Sequence, residues 1–267
     1  MRQGKALSTR TNAAEMPFLD HLEELRWRII WSLAALVLGV VVGVVIVFNF
    51  DLLTWLQGPI LPFLNGTKLK VTHPGDGFSI LMQAAIIVGV LVALPVILYQ
   101  VWAFLSPALH THEKRIGIPV ILGAVMLFVV GAAMAWYLVL PMTLRVLFHF
   151  DDKAFDQMIT ATEYFGFVSG MVLAMGAVFE LPIVVLILSA FGLVTPTFLA
   201  RFRRHAIVGS YLAASFITPG DQLVSSVVLT APLYLLYELS IGLSFLVYRA
   251  KQKKRLADEA EEAGAVA

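Results

Sequence analysis

The sequence contains no cysteine, and only 14% of its 267 residues are Asp, Glu, Lys or Arg. The lack of cysteine excludes disulfide bonds, thiolate metal sites and cysteine nucleophiles. The shortage of charge says more, because 59% of the residues are hydrophobic and a soluble protein of this length needs more polar surface. This composition, spread over long apolar runs, predicts an all-α polytopic membrane protein.

Two further features are missing from the sequence. The net charge is only +1, and no basic stripe remains once the loop cations are assigned to a membrane surface, so we expect no nucleic acid as a partner. No glycine-rich loop of the kind that cradles phosphates is present, which argues against the use of ATP by this chain. We therefore expect neither a cofactor nor a catalytic residue.

Six apolar runs predict six transmembrane helices, since about 20 residues are needed to cross a hydrocarbon core of ~30 Å. The predicted spans are residues 27–48, 78–105, 116–140, 167–191, 205–218 and 223–248. The fifth run would be only about 20 Å long as a helix, so it needs local thinning of the bilayer or shelter from neighbouring helices. The sixth is of full length.

The segments outside these runs complete a one-domain plan over residues 17–248. Residues 1–16 are polar and predict a disordered tail, and residues 249–267 predict a charged tail. Between the first tail and the first span, residues 17–28 have apolar residues at helical spacing and predict an amphipathic helix on the membrane surface. Pro141 is expected to mark the end of the third span.

The positions of the basic residues predict the orientation of the chain. Fifteen of the 19 Lys and Arg residues fall on one side if the N-terminal segment, the loops 105–115 and 192–204, and the C-terminal tail share that side. The opposite loops hold the other four, Lys68, Lys70, Arg145 and Lys153. Under the positive-inside rule, both termini are therefore expected in the cytoplasm.

Three of the carboxylates on the predicted cytoplasmic face have basic neighbours in the sequence, and each has two interpretations. Glu23 and Glu24 either form a solvated helix face paired with Arg28, or bind a cationic ligand. Glu113 either complements the dipole at the start of the third span or belongs to the same binding site.

Two more carboxylates, Glu180 and Glu238, are predicted to lie within the membrane in apolar surroundings. A charged group there is costly, so Glu180 is expected to face the bundle interior or a cavity, not lipid. Small residues such as Gly39, Gly43 and Gly131 are expected to allow close packing between helices.

Other functional classes fit the sequence less well. A secondary transporter with a midplane carboxylate is the main alternative, although no internal repeat is evident. An intramembrane serine protease would need Ser169 beside a base such as His149 or His205, but His149 falls outside the predicted spans and His205 is the first residue of the fifth, so both are expected at a membrane interface. His110 and His112 resemble a metal pair, but no third ligand lies near them in the sequence, so no metal site is expected.

Five separated motifs in the chain resemble the TatC family, the multispanning receptor subunit of the twin-arginine protein translocase. They are HLEELRWR (residues 21–28), YQVWAFLSPALHTHEKR (99–115), Phe179-Glu180 before Pro182, FITPGD (216–221) and APLYLLYE (231–238). The resemblance extends over residues 17–248, and the motifs occur in the family's order. It implies a cupped bundle of helices in the bacterial cytoplasmic (inner) membrane.

The resemblance also implies a function and partners. Members of this family recognise signal peptides that carry two consecutive arginines. Together with the single-span proteins TatA and TatB they form an oligomeric receptor complex in the lipid bilayer. This complex exports folded proteins at the expense of the proton-motive force.

Carried over position by position, the resemblance assigns a signal-peptide site. The two carboxylates fall on Glu24 and Glu113, the neighbouring basic residues on Arg26 and Arg115, and the aromatic residue at the end of the second span on Phe104. A guanidinium forms its best paired geometry with a carboxylate, so two separate carboxylates suit a ligand with two arginines. We expect Arg26 and Arg115 to keep the carboxylates ionised while the site is empty.

The remaining assigned positions lie elsewhere. Glu180 matches the family's intramembrane glutamate, for which we expect a polar contact with a partner helix. Pro59, Asp221 and Glu238 are expected to have structural or partner-contact roles. Ser225 departs from the family pattern, which often has glutamine at this place.

Overall fold

The computed structural model describes residues 9–64, 66–106, 117–149, 159–218 and 224–266, which form an almost entirely helical chain. The α-helices are α1 (Thr9–Asn49), α2 (Leu52–Leu56), α3 (Asp76–Leu105), α4 (Gly117–Met134), α5 (Leu140–His149), α6 (Ala161–Phe179), α7 (Leu181–Ala190), α8 (Pro196–Arg201), α9 (Arg203–Ile217) and α10 (Val224–Val266). A 3-10 helix follows α2 at Gly58–Phe63, and a π-helix joins α4 to α5 at Ala135–Val139. The predicted all-helical class is confirmed.

Five helical segments among the described residues are long and apolar enough to cross a membrane. They are Asp20–Asn49, Asp76–Leu105, Gly117–Phe148, Ala161–Ala190 and Ser225–Arg249. The short run predicted at residues 205–218 is present as α9, which has 15 residues and is therefore about 22 Å long. Its role as a sixth crossing stays a prediction, as does the cytoplasmic location of both termini.

Helix α1 continues without interruption from the predicted surface helix into the first span. No glycine or proline occurs between Pro17 and Gly39, so nothing in this stretch breaks the hydrogen-bond ladder. The helix predicted at residues 17–28 is therefore present as part of one continuous helix with the first span, and its place on the membrane surface stays a prediction. Helical backbone also enters both segments predicted to be tails, because α1 begins at Thr9 and α10 runs to Val266.

Pro141 does not end the third helical segment, contrary to the sequence-based expectation. The π-helix precedes it, and the N–H of Leu140 donates to the carbonyl oxygen of Ala135, five residues back. A proline inside an α-helix clashes with the carbonyl four residues before it, and a π-bulge changes the local register of those carbonyls. The helix therefore continues past Pro141 as α5.

The fourth span consists of two helices that meet at Glu180. Helix α6 ends at Phe179, and Pro182 lies in the first turn of α7, where its missing N–H leaves no hydrogen bond unmade. The N–H of Glu180 still donates to the carbonyl oxygen of Ala177 at 3.1 Å, so the break is a tight turn. The carboxylate of Glu180 is thus placed at a helix junction.

Helices α1 and α3 pack antiparallel at very short range because glycines line their contact. A Cβ atom added to Gly39 would lie 2.4 Å from the carbonyl oxygen of Gly89, and one added to Gly43 would lie 2.3 Å from that of Ala85. The four-residue step from Gly39 to Gly43 on α1 is matched by the four-residue step from Gly89 back to Ala85 on α3. The predicted close packing at these glycines is confirmed.

The loop after α1 packs as a small cap on the end of the bundle. Leu56 and Ile60 are buried, and Trp55 stacks on Trp136 with ring centroids 4.1 Å apart. The hydroxyl of Tyr164 at the start of α6 donates to the carbonyl oxygen of Leu56. These contacts place the cap at the end of the bundle opposite Glu24.

Candidate functional site

Glu24 lies on α1 as a half-buried carboxylate that is held by the next turn of the same helix. The Nε atom of Arg28 donates to Glu24 Oε1 at 3.0 Å, and Nη2 of the same guanidinium donates to the same oxygen. The side chains are 34% exposed for Glu24 and 24% exposed for Arg28. The four-residue spacing puts the two side chains on one helix face, so this pair was foreseeable from the sequence.

Phe104 is connected to Glu24 through a histidine. The imidazole of His21 stacks on the Phe104 ring with centroids 4.4 Å apart and planes 10° apart. Its Nδ1 atom lies 3.5 Å from Glu24 Oε2, the carboxylate oxygen that Arg28 leaves free. The structure therefore brings Glu24 and Phe104 together at one end of α1 and α3. The sequence-based site did not include His21, although its place three residues before Glu24 puts both on one helix face.

Gln100 is a second residue absent from the sequence-based site. Its Oε1 atom lies 3.4 Å from Arg28 Nη1, which links α1 to α3 across 72 residues of sequence. Eleven residues separate Arg28 from Gly39 on α1, and eleven separate Gly89 from Gln100 on α3. The glycine packing therefore sets the register that brings Gln100 opposite Arg28, which no local pattern would reveal.

Arg26 does not occupy the place expected for it. Its side chain is exposed, and the cation beside Glu24 is Arg28. Residues two apart on a helix point in directions about 200° apart, so Arg26 and Glu24 lie on different faces of α1. The expectation that Arg26 holds Glu24 while the site is empty is therefore wrong. Glu113 and Arg115 lie outside the described residues, as do His110 and His112.

Glu180 lies at the junction of α6 and α7, and both of its carboxylate oxygens are buried. Neither oxygen has a hydrogen-bond partner within the part of the chain that the structure describes. A buried polar group without a partner lowers stability, by about 1–3 kcal/mol. Glu180 therefore has bonding capacity that these surroundings leave unused.

Glu238 does not have the apolar surroundings that the sequence predicts. Its Oε2 atom accepts from Arg203 Nη2 at 2.9 Å, and its Oε1 atom accepts from the hydroxyl of Tyr234 at 2.7 Å. Helix α9 begins at Arg203, so this ion pair fastens the start of α9 to α10. Together with residues from α8, the pair lines an open groove of about 400 Å³.

The other positions that the family resemblance singles out lie in the cap and around the start of α10. Pro59 occupies the first turn of the 3-10 helix in the cap, and Ser225 is buried near the start of α10. Asp221 lies outside the described residues. Along the described ranges, no group of three or more His, Asp or Glu residues could hold a metal ion.

The protease alternative receives no support from the geometry. The hydroxyl of Ser169 donates to the main-chain carbonyl oxygen of Gln83 at 3.3 Å, as a structural serine between α6 and α3 does. His205 instead lies beside the ring of Phe202, with centroids 5.3 Å apart. The side chain of His149 is outside the described set.

Comparison with known proteins agrees with the fold and with the motifs. The family model described as Sec-independent protein translocase protein (TatC) matches residues 20–232. The protein of that name from Koribacter versatilis (strain Ellin345) is 37% identical over 252 residues, which cover 92% of each chain. The one from Aquifex aeolicus (strain VF5) is 38% identical over 240 residues, or 89% of this chain and 98% of the relative.

A crystal structure described as the twin arginine translocase receptor TatC matches with a TM-score of 0.70 and 39% identity. The match covers 85% of this chain and 99% of that chain. The chain therefore belongs to the TatC family of Sec-independent protein translocase proteins and is a multi-pass membrane protein.

Proposed function

We propose that this chain is the subunit of a twin-arginine translocase that recognises signal peptides with two consecutive arginines. The recognition site is the rim formed by Glu24, His21 and Phe104 at one end of α1 and α3. With single-span partners of the TatA and TatB type, the chain exports folded proteins across the bacterial cytoplasmic membrane, driven by the proton-motive force. The termini and this rim face the cytoplasm, and α9 is the fifth and shortest of six crossings.

The observation that carries the proposal is the guanidinium fork on Glu24. Two nitrogens of Arg28 converge on one oxygen of this half-buried carboxylate, so the position accepts the planar donor group of an arginine. Both side chains remain partly exposed, so solvent screens a pair at this position. An arginine of a signal peptide would find the same acceptor.

The neighbouring surface suits the apolar part of a signal peptide. Phe104 closes the rim on the α3 side, and Val101, three residues earlier and therefore on the same face of the helix, is 45% exposed. Burial of apolar area contributes roughly 25 cal/mol per Å², so a hydrophobic segment lying along α3 would add affinity. Glu113, with Arg115 beside it, is the proposed acceptor for the second arginine.

Contacts with partner proteins belong to other parts of the molecule. We assign the carboxylate of Glu180, whose oxygens lack partners among the described residues, to a hydrogen bond with a polar side chain of a partner helix. Such a bond contributes about 1 kcal/mol in a membrane. The faces beside the short helix α9 are a second place for partner helices, because closure there would relieve the thickness mismatch.

The proposal is tested by peptide binding to the full-length protein in lipid nanodiscs. The probes are a fluorescent peptide with two consecutive arginines followed by an apolar segment, and the same peptide with two lysines. Glu24→Gln should weaken binding of the arginine peptide about tenfold, since a charged hydrogen-bonded pair is lost. Glu23→Gln, which removes the exposed neighbouring carboxylate, is the matched control and should leave the affinity unchanged. Equal affinity of the parent and Glu24→Gln would refute the assignment.

A further inference from the structure

We propose that Arg28 is an internal competitor for the arginine that Glu24 binds, and that Gln100 receives Arg28 when the ligand arrives. The proposal rests on the proposed role of Glu24 and adds a regulation of that site. In the empty protein, the guanidinium of Arg28 takes the place of the ligand. The binding of a signal peptide is then an exchange of one arginine for another.

The arrangement of the two oxygens of Glu24 shows why an exchange is needed. Both donating nitrogens of Arg28 converge on Oε1, while Oε2 faces His21 at 3.5 Å. A full arginine–carboxylate pair joins two N–H groups to two oxygens. A second guanidinium could therefore make only one contact with Glu24 while Arg28 stays, and it would also be repelled by the charge of Arg28.

Gln100 is placed to receive the displaced side chain. Its amide oxygen is 3.4 Å from Arg28 Nη1, which is at the long end of hydrogen-bond distances. A small rotation of Arg28 away from Glu24 would shorten this contact and provide a neutral acceptor for a cation that has lost its partner. Without such an acceptor, a side chain that is only 24% exposed would be left poorly solvated.

The exchange involves side chains and leaves the helices in place. Gly39 and Gly43 let α1 pack directly against the backbone of α3, where even a methyl group would not fit between the helices. The separation between the Arg28 and Gln100 backbones is therefore fixed by packing some eleven residues away. An arginine has enough rotatable bonds to move between the two acceptors within this frame.

A competitor has a specific thermodynamic signature. It lowers the apparent affinity of every ligand that needs Glu24 by the same factor, because the population of the free carboxylate is reduced for all of them alike. The ratio of affinities for the arginine and lysine peptides is therefore unaffected by Arg28. Arg28 instead raises the peptide concentration that is needed for half-maximal binding. Peptides that bind weakly therefore remain mostly unbound at low concentration.

The test is a double-mutant cycle on binding of the two peptides to the full-length protein in nanodiscs. Arg28→Gln should raise the affinity for both peptides by about 2- to 5-fold, the range expected from the loss of a partly exposed ion pair. Arg28→Lys, which keeps the charge but not the fork, should give a smaller rise. Arg201→Gln removes a positive charge on α8 and is the control for the change in net charge. It should leave the affinity for both peptides unchanged.

Gln100→Leu completes the cycle. In the parent it should lower the affinity for the arginine peptide about 2- to 3-fold, because the displaced Arg28 loses its acceptor. In the Arg28→Gln background the same change should have no effect. Gln100→Leu in the parent is also informative alone: an unchanged affinity there would overturn the role of Gln100 even if Arg28→Gln reduces the yield of folded protein.

The contrary results are distinct from a failure of the proposed function. Weaker binding in Arg28→Gln would mean that Arg28 positions Glu24 and does not compete with the ligand, which overturns the inference while Glu24 keeps its role. A Gln100→Leu effect of equal size with and without Arg28 would also overturn it. If Glu24→Gln leaves binding unchanged, the proposed site and this inference fail together.

Discussion

The hydroxyl of Tyr164 donates a hydrogen bond of 2.8 Å to the main-chain carbonyl oxygen of Leu56, although 108 residues separate them along the chain. Leu56 ends the short helix of the cap, and Tyr164 belongs to the first turn of α6. The same two regions meet again where Lys70 lies opposite Thr160: the N–H of Lys70 donates to the carbonyl oxygen of Ile159 at 3.2 Å, and the N–H of Ala161 donates to that of Lys70 at 2.8 Å. The cap is therefore fastened to the bundle at two points.

Tyr164→Phe should loosen the cap without changing its shape. The substitution removes only the hydroxyl and leaves a buried carbonyl oxygen without its donor, so the free energy of unfolding should fall by about 1–2 kcal/mol. Thermal unfolding of the purified protein in detergent would measure the change. Tyr137→Phe is the matched control, because Tyr137 is 75% exposed and should tolerate the loss. An unchanged midpoint for Tyr164→Phe would show that this bond adds no stability.

Gly43→Ala should destabilise the contact between α1 and α3. The added methyl group would lie 2.3 Å from the carbonyl oxygen of Ala85, so the helices must separate. Overpacking of this kind lowers stability by about 1–3 kcal/mol. Gly123→Ala is the control, since a Cβ there meets no atom within 4 Å and alanine favours a helix. The thermal midpoint should be highest for Gly123→Ala, intermediate for the parent and lowest for Gly43→Ala. Equal midpoints would contradict the packing argument.

Glu180→Leu should stabilise the isolated protein and weaken its assembly with partners. The change removes two buried oxygens that lack partners within the described residues, so the thermal midpoint should rise. The proposed hydrogen bond to a partner helix would be lost, and co-purification of single-span partners should fall. Glu180→Gln keeps a hydrogen-bonding side chain and should retain the partners. Full co-purification with Glu180→Leu would exclude this role.

Most of the architecture was predictable because membrane spans leave a strong local signal. Each long apolar run corresponds to one helical segment of the structure, since the hydrocarbon core demands continuous hydrogen-bonded helix. The wrong predictions concern helix ends. Pro141 was expected to stop a helix, but a π-helix just before it lets the chain continue. The sequence also does not show that the amphipathic helix at residues 17–28 and the first span form one helix, because a change of polarity along the chain does not mark a break in the backbone.

The candidate site was predictable only in part, and for a different reason. Glu24 and Arg28 form a local pair whose spacing can be read from the sequence. Gln100 and His21 gain their places from the register between α1 and α3, and that register follows from glycine contacts far from the site. Glu238 was misjudged because the cation that pairs with it, Arg203, lies on another helix.

The close packing of Gly39 and Gly43 against α3 has a consequence for the rate and the entropy of the proposed peptide binding. Glu24 and Phe104 lie on two helices that are already packed together, so the proposed site would not require a peptide to bring α1 and α3 into contact. Ordering a loose site would consume roughly 0.5–1.5 kcal/mol for each side chain that becomes fixed. Here the stack of His21 on Phe104 already exists in the empty protein. In the proposed recognition, the conformational step would therefore involve only side chains, whose rotations take picoseconds to nanoseconds, and not movements of whole helices, which take microseconds to milliseconds.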